Sequence, residues 1–195
     1  MTIEEIMQKL QQENNAPVVM RDVFDNMEAA MQNGNYLESA LYNRNIYNEA
    51  SKMEQEDIML AAFEALAQAY AKIDKRAECE ELALKTMQVY DSWGSGSKTA
   101  MDTALLNYAA ACLAFGRPQE AMPYIENVEE RYGRLLDEDD HRLIFLYLYK
   151  ARALAGLGRT ADAREYYGFA KDALGKVEGF EREKQLLQDE AAALL

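Results

Sequence analysis

Aligned with itself at a step of about forty residues, the chain falls into register four times. Gly34, Asp74, Gly116 and Gly158 stand at equivalent turns, 40, 42 and 42 residues apart. Four residues after each comes an acid (Glu38, Glu78, Glu120, Asp162) and five after it a small side chain (Ser39, Cys79, Ala121, Ala163). Eight after it comes a bulky one (Tyr42, Leu82, Tyr124, Tyr166), and Val23, Phe63, Leu105 and Tyr147 share one offset before it. A unit of this length holds two helices, and no single unit can bury its own apolar face, so successive units must stack. The register therefore predicts an all-α chain, an α-solenoid of stacked antiparallel helix pairs. Ala, Leu, Glu, Met and Gln, all good helix formers, outweigh Val, Ile and Thr, and there are three prolines in 195 residues.

The register divides one helical-repeat domain, 1–195, into an N-terminal helix (1–16), four helix-pair repeats (18–54, 55–97, 98–139, 140–176) and a C-terminal capping helix (177–195). Asn14-Asn15-Ala16-Pro17 breaks the chain before the first pair, and Trp93-Gly94-Ser95-Gly96-Ser97 reads as a linker. Small side chains seven before and five after the turn predict close helix crossings at Ala67/Cys79, Ala109/Ala121 and Ala151/Ala163. The Asp74 turn lacks the glycine of its siblings, so a left-handed residue there is costly or avoided.

A net charge of −13 argues against a nucleic-acid surface, which needs clustered Lys and Arg, and suits either a basic partner or simple solubility. No apolar run reaches the length of a membrane span, and Met1–Ile6 lacks a signal-like charge pattern, so a cytoplasmic location is expected. Cys79 and Cys112 read as core packing, not as a disulfide or catalytic thiol. The single histidine, His141, lies among acids in an inter-repeat linker and reads as solvated, not as a metal ligand. No nucleophile–base pair can be assembled, so neither enzyme activity nor any cofactor is expected.

The spacing Ala109…Gly116…Ala121, repeated as Ala151…Gly158…Ala163 with Tyr167 and Ala170 beyond it, resembles the tetratricopeptide repeat. The 42-residue step is similar to the longer units of the kinesin light chain type. Leu136–His141 resembles the linker of those units, with Arg142 where a proline would stand. The resemblance runs from Val18 to about Leu174 and implies a right-handed superhelix with a concave groove lined by the first helix of each pair. Carried over residue by residue, the groove comprises Arg21, Phe24 and Glu28 in the first unit and Glu64 and Gln68 in the second. Thr103, Leu106 and Asn107 follow in the third, and Phe145, Leu148, Tyr149 and Arg152 in the fourth. Of the paired asparagines such units use on a peptide backbone, Asn107 alone is present.

The resemblance thus implies a protein or peptide partner with basic and hydrophobic segments. Phe145 and Leu148 are either groove wall or surface covered by the terminal helix or the stack. Tyr149, unmatched across the repeats, suits a contact role. Three functions stay open: a cytoplasmic adaptor or scaffold, a self-assembling subunit such as a homodimer, and a chaperone for a secreted or basic-hydrophobic client.

Overall fold

The computed structural model describes residues 29–53, 55–92, 99–137, 140–176 and 181–193. These residues are all-helical, with no strand among them. Residues 29–32 are helical and run into the turn at Gly34. Eight helices follow: α1 (Tyr36–Lys52), α2 (Glu56–Lys72), α3 (Arg76–Ser92), α4 (Ala100–Ala114), α5 (Pro118–Leu135), α6 (Arg142–Gly156), α7 (Thr160–Gly175) and α8 (Glu181–Ala192). Among the described residues, none of these helices is long and apolar enough to cross a membrane. The expected helix at 1–16, the break at Pro17, the first part of the first pair and the linker Trp93–Ser97 lie outside the described residues.

One local device accounts for the register. At all four turns the residue in the shared position is left-handed, with φ of 76° at Gly34, 54° at Asp74, 69° at Gly116 and 77° at Gly158. The next residue donates its N–H five positions back: Asn35 to Ala30, Lys75 to Tyr70, Arg117 to Cys112 and Arg159 to Leu154, at 2.8–2.9 Å. The turn residue itself donates three back, as Gly116 does to Leu113 at 3.0 Å. This is the Schellman closure, which satisfies carbonyls that the end of a helix leaves without partners. Asp74 therefore adopts the left-handed conformation despite its side chain.

The repeated acid finds its reason in the next turn of chain. Lys75, Arg117 and Arg159, each just before a second helix, pair three residues on with Glu78 (2.7 Å), Glu120 (3.0 Å) and Asp162 (2.6 Å). Those acids also sit in the first turn of α3, α5 and α7, where the helix dipole favours negative charge. The small side chains do what their spacing predicts. Ala67, Cys79, Ala109, Ala121, Ala151 and Ala163 are all buried, and α4 packs on α5 as α6 packs on α7.

Beyond neighbouring pairs, α2, α4 and α6 pack on one another, α2 touching α6 across α4. A single apolar core runs from Ala40 on α1 to Leu187 on α8.

Candidate functional site

Among the described residues, most of the expected groove is buried. Arg21, Phe24 and Glu28 lie outside the described residues. The other nine residues come together on α2, α4 and α6, where seven are buried and Gln68 and Arg152 are half-buried beside a small cleft. Leu106, Phe145, Leu148 and Tyr149 are all 0% exposed, and Thr103, Asn107 and Glu64 are buried with them. This corrects the expectation of a concave binding wall. The cause lies in α6, which is contacted by α2, α4, α5 and α7. Its run Leu143-Ile144-Phe145-Leu146-Tyr147-Leu148-Tyr149 is apolar or aromatic all round, and such a helix belongs in a core, not at a rim.

Each buried residue has a structural duty or an unmet need. The Thr103 hydroxyl donates to Glu56 at 3.0 Å and lies 3.4 Å from the Tyr132 hydroxyl. Tyr149 packs on Phe145, ring centroids 6.2 Å apart, with the Arg152 guanidinium 6.0 Å from its own ring, so it is no surface anchor. Asn107 is buried, with neither amide atom hydrogen-bonded among the described residues, and so cannot clamp a peptide from outside.

Arg152 ties the C-terminal helix to this closed face. Its Nε and Nη2 donate to Glu190 of α8 at 2.8 Å, and its Nη1 to Glu64 of α2 at 3.0 Å. Burial works against the guanidinium charge, but Glu64 and Glu190 outweigh it and hold the group firmly protonated.

The open aromatic surface lies on the other side of α6. Tyr147 meets Tyr166 and Phe169 of α7 at centroid distances of 6.3 and 5.7 Å, and those two meet edge-on at 5.4 Å. They line a cleft of about 450 Å³ between α5, α6 and α7, together with Leu136, Leu143 and Leu146. Phe169 is 41% exposed. Tyr166 is fixed from behind: its hydroxyl donates to Glu129 at 2.6 Å, and the Lys150 ammonium sits 4.6 Å from its ring centre while pairing with Glu129. Burial, and then the Glu129 hydrogen bond, push the Tyr166 phenol up from its ordinary value.

The repeat register held a sign of this cleft. The position eleven after each turn is Asn45, Lys85 and Asn127 in three units, and Phe169 in the fourth. In the fourth unit an exposed phenylalanine thus stands where its siblings carry polar residues.

His141 stands just before α6, makes no side-chain capping bond to it, and is exposed. Among the described residues no three His, Cys, Asp or Glu side chains gather to hold a metal ion. Cys79 and Cys112 are buried free thiols; burial pushes Cys79 up to about 12, away from the range of a reactive thiolate. The chain matches no protein-family profile and no curated protein.

Proposed function

We propose that the chain is a non-enzymatic scaffold of tetratricopeptide-like helix pairs, stacked as a right-handed solenoid, that binds a partner protein in the α5–α6–α7 cleft. The observation that carries this reading is the Tyr147–Tyr166–Phe169 cluster. Three aromatic rings border a cleft large enough for side chains, and the most exposed of them breaks the pattern of its repeat. Aromatic anchors in such pockets carry a large share of interface energy. The tyrosine rings suit an apolar or planar cationic side chain. The net charge of −13 favours a partner segment that carries bases beside its apolar anchor, acting mainly on association rate.

The test replaces Phe169 with a photo-crosslinking phenylalanine analogue in the cell that makes the protein, with exposed Leu84 as the control position. One partner captured at Phe169 and absent at Leu84 is the expected result. Phe169→Ala should then weaken that partner's affinity about tenfold, the effect of losing one aromatic anchor. Capture of further copies of the chain at Phe169 would favour self-assembly. An identical crosslink pattern at both positions would remove the cleft from the account.

A further inference from the structure

On the far side of α6 from the aromatic cleft, a smaller cleft of about 270 Å³ opens at Glu64, Gln68, Arg152 and Glu190, walled by Leu113 and Pro118. Among the described residues, its hydrogen bonds fall on three of the four carboxylate oxygens. Both Glu190 oxygens accept from Arg152, and Oε2 also accepts from the Tyr167 hydroxyl at 2.9 Å. Glu64 Oε1 accepts from Arg152 and, at 2.8 Å, from Gln68. Among the described residues Glu64 Oε2 accepts from nothing, although the side chain is 2% exposed. Two carboxylates and one guanidinium leave one negative charge over, and a buried carboxylate oxygen without a donor is costly. The complement the site lacks is one cationic donor. The cleft far exceeds one water, which takes roughly 30 Å³ of the liquid, and its Leu113 and Pro118 wall suits an aliphatic stem.

We infer that this cleft binds an alkylammonium group, whose –NH3+ donates to Glu64 Oε2 while its methylene stem lies against Leu113 and Pro118. A strongly hydrated ammonium on a flexible stem fits a narrow acceptor, whereas a guanidinium asks for a planar fork. Gln68, half-buried over the carboxylate, turns aside to admit it. Because Glu190 belongs to α8, the C-terminal helix completes the site, and an occupied cleft stabilises α8 in place by mass action. The site is independent of the aromatic cleft. The amine could be free or a lysine side chain of a protein partner.

The test titrates the full chain with n-butylammonium, with a capped Gly-Lys-Gly tripeptide and with tetramethylammonium, following the Gln68 amide and Leu113 methyl resonances. Saturable shifts with the first two are expected, and none with tetramethylammonium, which carries the charge without an N–H. A tripeptide that binds as tightly as butylammonium marks a lysine side chain as the natural occupant, and a weaker one marks a free amine. Glu64→Gln should lower affinity at least about tenfold. Leu113→Phe, which fills the cleft and leaves every charge in place, should do the same and guards against a misfolded Glu64 variant. Phe169→Ala should leave the titration unchanged. Equal shifts with tetramethylammonium, or undiminished binding in both cleft variants, would overturn the assignment.

Discussion

Asp102 shows how far burial can set one residue against its own charge. It is 0% exposed near the start of α4, and neither carboxylate oxygen has a well-formed hydrogen bond, although Arg131 Nε stands 3.0 Å from Oδ1. Desolvation raises its pKa to about 6; Arg131 pulls it down, Glu56 pushes it up and Arg142 pulls it down again. A carboxyl that holds its proton more tightly when folded destabilises the fold once ionised. The penalty is complete above pH 6, fades as pH falls toward the ordinary aspartate value of 3.8, and is absent below it. Asp102→Asn should therefore be more stable than the parent by about 1–3 kcal/mol at pH 7.5, with the difference gone near pH 3.5. Urea unfolding at the two pH values checks this, and a variant less stable at pH 7.5 would show that the Arg131 pair outweighs burial.

At the scale of the elements, the turns teach most. Asp74 makes the same closure as its three glycine siblings, yet an L-residue in the left-handed region costs about 1–2 kcal/mol. Asp74→Gly should recover about 0.5–1 kcal/mol of that, the rest being lost to a freer unfolded chain. Denaturant melts that show a loss instead would mean the aspartate side chain contributes to the turn. The helices were legible because their signals are local. The four turns and the buried small-residue pairs stand where the spacing puts them. The site was not legible, because the offsets that line a groove in one stack line a core in a tighter one. That difference depends on contacts between units rather than on any one helix. Two local signs were still present, the unbroken apolar run of α6 and the phenylalanine at position 169.

The whole molecule is closed by charges that reach across units. Glu56 Oε2, at the start of α2, accepts from Thr99 (2.9 Å) beside α4, from Thr103 within it, and from Arg142 of α6 (2.9 Å). Arg142 also grips Asp140 through Nε and Nη2 at 2.8 and 2.6 Å. Two turns further on, Glu64 and Arg152 pin α2 to α6 again. Arg142 is the residue that stands where the resembled linker carries proline, so the departure from that pattern supplies one of the two clasps. Ion pairs held between packed helices fix register where surface pairs would contribute little. This closure puts most of the first-helix face inside the protein and leaves the α5–α7 cleft open. Thiol labelling of the native protein tests it most directly, with Leu148→Cys and Phe169→Cys compared against the buried native cysteines. Phe169→Cys should react as an exposed thiol. Leu148→Cys should react at least about a hundredfold more slowly, the factor an opening energy of about 2.7 kcal/mol imposes. Equal rates at the two positions, in a protein that is still folded, would mean that the first-helix face is an open groove after all.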